Sequence, residues 1–242
     1  MYKSKIIVLQ HVEHEDLENI EELFSRSRFE FTKIKLFKNQ KIPKKLTVFS
    51  MMIVLGGPMD TWMEDSYPWL IEEKRTIKEF VVDLKKPFLG ICLGCQLLGE
   101  VLGAKISKSK KTEIGFCKVK SQNNLNKDKI FNFLPNEFEV FQWHSYEVKK
   151  KQNKDFKILV SSKDTKVQLF KYKKHAYGMQ FHLELKKDTI KKWLKINSNK
   201  EYLRKYLDEK DMLKFNEISS NKINNISNLC EILVNNFSRV IY

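Results

Sequence analysis

The run Phe88-Leu89-Gly90-Ile91-Cys92-Leu93-Gly94-Cys95-Gln96-Leu97-Leu98-Gly99 decides the fold. Its first four residues form a short apolar run, as a strand buried on both faces requires, and a helical pattern begins after Cys92. A strand that passes straight into a helix through Gly-Ile-Cys-Leu-Gly needs a sharp, strained turn. Glycines two before and two after the cysteine give the backbone room for it. Such an elbow presents the thiol at the edge of a sheet. The helix N-terminus favours the thiolate, and the Leu93 amide is left to face a developing oxyanion. Taken alone, Cys92 also reads as a small buried hydrophobe in a tight connection.

Working outward, Ile6-Ile7-Val8-Leu9 and Met52-Ile53-Val54-Leu55 are two more short runs rich in branched residues. Between the three runs lie helical stripes, one of Leu17, Ile20 and Leu23-Phe24, the other of Ile77, Phe80-Val81 and Leu84, starting close to Pro68. Strand and helix thus alternate through residue 103. This predicts an open α/β sheet, mainly parallel, with ligands beyond the carboxyl ends of its strands. After Ala104 the texture is strand-like around 116–119, 138–142, 157–160, 167–172 and 177–181. Helical spacing returns from Thr189, and Ile223, Ile226, Cys230, Leu233 and Phe237 define one apolar face. The only plausible internal boundary is 196–200, which divides a main domain, 1–195, from a helical extension, 196–242, packed on it.

The 242 residues carry a formal net charge of +15. Basic clusters neutralise phosphates, but these lysines are spread along the whole chain, so a solvated basic surface is the expected reading and nucleic acid is not an expected partner. The densest runs, Lys108–Lys111 and Lys149–Lys154, read as loop exteriors. The apolar run after Lys5 turns polar by Gln10, too brief for a leader or a membrane span, so a cytoplasmic protein with no membrane partner is expected. Cys92, Cys95, Cys117 and Cys230 are too few and too uneven for a disulfide framework, and reduced thiols are expected. Cys92 and Cys95 make a C-x-x-C pair that admits half a zinc site or a redox dithiol. No second ligand pair at suitable spacing accompanies it, and no metal or cofactor is expected.

Two further segments bear on Cys92. In Tyr177-Gly178-Met179-Gln180-Phe181-His182-Leu183-Glu184 the His and Glu stand two apart at the end of a strand. In extended chain they share a face, so the Glu184 carboxylate can hold one imidazole nitrogen while the other faces the thiol. An exposed strand-end pair is the plainer reading of a lone H-x-E. Gly56-Gly57-Pro58 directly follows the second apolar run, where a loop can point the Gly57 amide into the site as a second oxyanion donor beside Leu93.

Together these segments resemble the class I, triad-type glutamine amidotransferases, whose motifs read much like Gly-Gly-Pro, Gly-Ile-Cys-Leu-Gly-x-Gln and Gln-Phe-His-x-Glu. The resemblance covers about residues 5 to 195 and is nearest to the glutaminase domain of GMP synthetase and its stand-alone relatives. It implies a flavodoxin-like sheet, with Cys92, His182 and Glu184 as triad and the Gly57 and Leu93 amides as oxyanion hole. It also implies substrate contacts from Gly56 and Gln96, and from His144 and Ser145 in the segment Phe141-Gln142-Trp143-His144-Ser145-Tyr146. Relatives commonly carry His-Gly-Asp where this chain has His144-Ser145-Tyr146.

The expected activity is release of ammonia from the glutamine side chain through a thioester on Cys92. No Ser-Gly-Gly-x-Asp-Ser-type loop follows Glu184, so a separate synthetase is the expected acceptor. The altered Ser145-Tyr146 pair motivates an alternative in which the same triad cleaves a γ-glutamyl amide or peptide. A non-catalytic binding module ranks last.

Overall fold

The structure is a computed structural model that describes residues 4–25, 29–122, 127–186, 188–208, 210–211 and 220–241. Met1–Lys3, the head of the run read for a leader, lie outside the described residues. One nine-stranded sheet organises the chain. Its parallel half follows the order β2 (Phe29–Lys35), β1 (Ser4–Gln10), β3 (Met51–Val54), β4 (Phe88–Ile91), β9 (Ala176–Met179). From β9 the sheet continues antiparallel through β8 (Leu169–Tyr172), β7 (Phe156–Ser161), β5 (Ile106–Ser121) and β6 (Glu137–Val148). The sheet is therefore mixed, with the parallel half in the doubly wound 2-1-3-4 order that leaves a crevice beyond the strands' carboxyl ends.

The period-two alternation of strands explains the two cores. Ile6, Val8, Met51 and Ile53 face one side, with Ile20 and Phe24 of α1 (Asn19–Ser25). On that side they also meet Ile226, Leu233 and Phe237 of α6 (Ser220–Ile241). Ile7, Leu9, Met52 and Val54 face the other side, with Leu70 and Ile77 of α2 (Trp69–Lys78) and Leu97 and Leu98 of α3 (Leu93–Val101). Both the strands and the two-sided burial agree with the short branched runs. The apolar face read over residues 223–237 is buried in the first core. Two short helices, α4 (Thr189–Lys195) and α5 (Asn197–Arg204), follow β9 and meet at Ile196, inside the boundary read from the sequence.

Two elements differ from the sequence reading. Strand β2 went unread because Phe29-Glu30-Phe31-Thr32-Lys33-Ile34-Lys35 mixes charge into its alternation, as an edge strand does. Lys108–Lys111 are not a loop: they lie within β5, at a register shift against β6 between Lys108 and Glu113. Lys108, Lys110 and Lys111 are exposed while Ser109 is buried, so the run is the solvent face of an irregular strand. Among the described residues, no helix is long and apolar enough to cross a membrane.

Candidate active site

Cys92 caps α3 with φ 51° and ψ −103°, a conformation that costs a non-glycine residue about 1–3 kcal/mol and persists only when its surroundings enforce it. The enforcement is visible on both sides. The Cys92 amide donates to Met179 O of β9 at 2.8 Å, and the Gly94 amide donates to Leu55 O beyond β3 at 3.1 Å. A Cβ on Gly94 would stand 2.2 Å from the Val54 carbonyl oxygen, and one on Gly90 2.3 Å from the Gly94 carbonyl oxygen. The two glycines are thus required by close approach of helix to sheet. Leu93 opens α3, so its amide has no acceptor within the helix.

Three residues past β9, the His182 amide donates to Phe141 O at 2.9 Å, a bridge that ties this segment to β6. The backbone stays extended enough for His182 Nδ1 to meet Glu184 Oε1 at 2.5 Å. The other side of the ring is in hydrogen-bond contact with Cys92, and Trp193 packs edge-on against it at 5.3 Å. Glu184 is itself anchored, since its carbonyl accepts from the Asn19 amide at 2.9 Å. Burial pulls the His182 pKa down, but the Glu184 carboxylate and the contact with Cys92 overcome it and hold the imidazole well above the ordinary histidine value. An imidazole held between a carboxylate and a sulfur is the arrangement that serves a nucleophile and its base.

Cys92, Gly57, Leu93 and His182 line a cavity of about 520 Å³. Gln96 also lines it, and its Nε2 donates to Tyr146 O at 3.1 Å and to Gln180 Oε1 at 3.2 Å. Gln180 Nε2 in turn lies 3.8 Å from Cys92 Sγ, so this glutamine pair braces the elbow against β6 and β9. His144 borders the cavity, with Nδ1 at 3.0 Å from Tyr146 O and Nε2 at an ion-pair distance of 3.2 Å from Glu113 Oε2. Ser162 Oγ and Gln168 Nε2 also donate to Glu113, at 2.6 and 2.7 Å. That buried set fixes the 143–146 strand. Ser145 reaches the cavity and touches the Tyr202 hydroxyl. Gly56 does not line the cavity; its carbonyl faces His11, and a Cβ there would stand 3.4 Å from His182 Cε1.

Several residues of the site escaped sequence reasoning. Glu15, in the loop after β1, lines the cavity, and its carboxylate packs so closely on Gly56 that a Cβ there would meet Oε2 at 2.2 Å. Burial pushes its pKa up, and the neighbouring imidazoles of His182 and His11 only partly offset that, leaving it at about 7. An acidic residue just past the carboxyl end of a parallel strand was the available signal. The far wall comes from α5 and the residues after it, with Ser198, Tyr202, Lys205 and Tyr206 facing inward. Cys95 is buried in the second core and its thiol is pushed up by burial. All four cysteines are free thiols. Among the described residues, no cluster of three His, Cys, Asp or Glu side chains could hold a metal ion.

Residues 15–198 match the model of the family "Glutamine amidotransferase class-I". The chain is similar to GMP synthase (glutamine-hydrolyzing) of Borrelia garinii subsp. bavariensis, 30% identical over 155 residues. That match takes in 64% of this chain but only 26% of that protein, so the chain spans about a quarter of the relative's length. It is also similar to a GMP synthase (glutamine-hydrolyzing) subunit from Sulfolobus acidocaldarius, 32% identical over 147 residues, 60% of this chain and 73% of that one. Among solved structures, a glutamine amidotransferase from Thermotoga maritima superposes with a TM-score of 0.84 at 30% identity, covering 100% of this chain and 99% of that one.

Proposed function

Because the chain belongs to the class I glutamine amidotransferases, we propose that it hydrolyses the side-chain amide of glutamine and delivers the ammonia to a separate partner. The observation that carries this is the placement of His182 between the Glu184 carboxylate and Cys92 at the strained elbow. In this reading the Cys92 thiolate attacks the amide carbon, and the carbonyl oxygen becomes an oxyanion received by the Gly57 and Leu93 amides. Protonated His182 gives its proton to the departing nitrogen, the carbon–nitrogen bond breaks, and ammonia leaves a γ-glutamyl thioester. Water then attacks the thioester carbon while His182 takes its proton. Glutamate departs as the sulfur regains the thiolate, and Glu184 holds the imidazole orientation throughout. The Sulfolobus relative is one subunit of its synthase, which supports a separate acceptor for this chain's ammonia.

A second substrate class has its own support. The cavity of about 520 Å³ falls within the range of sites that hold drug-sized ligands, about 300–1,000 Å³. Its outer part carries Tyr146, Tyr202 and Tyr206, which leaves room for a substituent on the γ-amide. One experiment tests both: purified protein is given glutamine and a panel of γ-glutamyl amides and peptides, and glutamate release is measured for wild type and Cys92→Ala. Glutamate from glutamine, lost in Cys92→Ala, is the expected result. Release only from γ-glutamyl compounds moves the substrate to the second class, and no release from any, alone or with candidate synthetases, removes the proposed activity.

A further inference from the structure

His11 and Glu73 are wholly buried, and neither lines the cavity. Buried ion pairs are weak contributors to stability, because desolvation offsets their attraction and an apolar pair of similar volume often serves as well. The Glu73 carboxylate keeps one oxygen, Oε2, with no hydrogen-bond partner among the described residues. What the pair does is therefore better sought in what it holds. His11 Nδ1 stands 2.8 Å from the Gly56 carbonyl oxygen and Nε2 stands 2.9 Å from Glu73 Oε1. A carbonyl only accepts, so Nδ1 carries a proton and donates it to Gly56 O. Trp69 and Glu73, four apart on α2, share a helix face, and Trp69 stacks on the imidazole with ring centroids 5.5 Å apart.

The consequence follows from peptide geometry. The 56–57 bond is trans, and in a planar trans peptide the carbonyl and the next N–H point in opposite directions. With the Gly56 carbonyl held by His11, the Gly57 N–H is turned the other way, away from the imidazole, and Gly57 itself lines the cavity together with Cys92 and Leu93. Two successive glycines offer little steric resistance to rotation of this peptide, so something else must set it.

We propose that His11, oriented by Glu73 and Trp69, is a positioning residue that locks the Gly56–Gly57 peptide with its N–H aimed into the cavity, so that the second oxyanion donor is set before substrate arrives. The inference rests on the reading of Gly57 as an oxyanion donor in amide hydrolysis. Rotation of the peptide would strand a buried imidazole N–H without an acceptor, which is what makes the orientation single-valued. Burial works against a charged imidazole, yet the Glu73 carboxylate and the Gly56 carbonyl together raise the His11 pKa above the ordinary value, so the donating proton stays in place.

The test compares His11→Leu, which fills the space without a donor, with His11→Asn, whose side-chain amide can still donate to Gly56 O. Four quantities are measured: kcat and KM for glutamate release, the rate of Cys92 alkylation by iodoacetamide, and the crystal structure. Losing one oxyanion donor lowers kcat by about 10²- to 10³-fold, so His11→Leu is expected to fall by about that factor at near-constant KM. Alkylation forms no oxyanion, so its rate should stay within about twofold, and His11→Asn should recover most of kcat. His11→Leu crystals should show the 56–57 peptide turned or in two orientations. Unchanged kcat in folded His11→Leu, alkylation falling in step with kcat, or a peptide that keeps its orientation without the imidazole overturns the proposal. If His11→Leu does not fold, Glu73→Leu takes its place under the same criteria, with a smaller loss of about tenfold. If wild type releases no glutamate from any compound, the proposed activity fails, and the peptide orientation in the crystals still decides the positioning role.

Discussion

The two walls of the cavity are built differently. The inner wall, with Cys92, Gly57 and His182, is set by backbone bonds that tie the elbow and the His182 segment to the neighbouring strands: Cys92 to Met179, Gly94 to Leu55 just past β3, His182 to Phe141. Cys92 and His182 are 8% and 2% exposed. The outer wall comes from α5, the chain after it and the 143–146 segment, and it is made of side chains. Trp62, 48% exposed, leans edge-on against Tyr146, and Tyr206, 40% exposed, packs on Tyr202. Fixed backbone suits bond-making, where small displacements of the reacting groups are costly in rate. Long, partly exposed side chains suit selection among substrates that differ away from the reacting carbon. Under the proposed activity, the contrast therefore assigns rate to the inner wall and substrate choice to the outer one.

The largest expected effects test the inner wall. His182→Ala should lower kcat by about 10⁴-fold, and Glu184→Gln by about 10²- to 10⁴-fold, in steady-state glutamate release. Glu184→Gln carries a further signature. The carboxylate favours the protonated imidazole, so its loss should move the His182 titration, followed by NMR, to lower pH. A kcat retained within tenfold in either variant would break the assignment of rate to this wall.

The same contrast explains what was legible beforehand. The elbow could be read because its demands are local: Gly90 and Gly94 flank Cys92 within five residues, and each is needed by a contact under 2.5 Å. His182 and Glu184 could be read because a spacing of two in extended chain puts both on one face. His11 and Glu73 could not, and Glu15 offered only its place past the carboxyl end of β1. Their meaning lies in neighbours 62 residues apart in sequence, as His11 and Glu73 are, or in the crossing of β1 beside β3, which no local spacing encodes. Of the outer wall, the 143–146 segment was legible through its resemblance, while α5 was silent, since it reads as an ordinary polar helix until the fold brings Tyr202 to Ser145.

Smaller effects belong to the outer wall. Tyr202→Phe removes the hydroxyl at Ser145, and Lys205→Ala removes a cation facing the cavity. Each should change KM by about three- to tenfold, the worth of one hydrogen bond or charge contact, with kcat held within about twofold. The change should differ between glutamine and the γ-glutamyl compounds, read as a ratio of kcat/KM. A loss in kcat at constant KM would place these residues with the inner wall instead.

The remaining effect is on stability and not on rate, and it concerns Glu15, at the seam of the two walls. Its carboxyl titrates at about 7 in the folded protein, against 4.5 in an exposed chain. Between those values the folded state keeps the proton that the unfolded state has released, so the unfolded state binds fewer protons and stability falls as pH rises through the window, levelling above about 7. Glu15→Gln keeps the shape and lacks that loss. The variant should therefore gain stability relative to wild type from about pH 4.5 to 7, by of order 1–3 kcal/mol at the top, which is a few degrees in Tm for a chain of this size. Melting curves from pH 4 to 9 measure it. Parallel curves for the two proteins would mean that the carboxylate is solvated as the outer wall is, and would move Glu15 from the buried side of the seam to the open one.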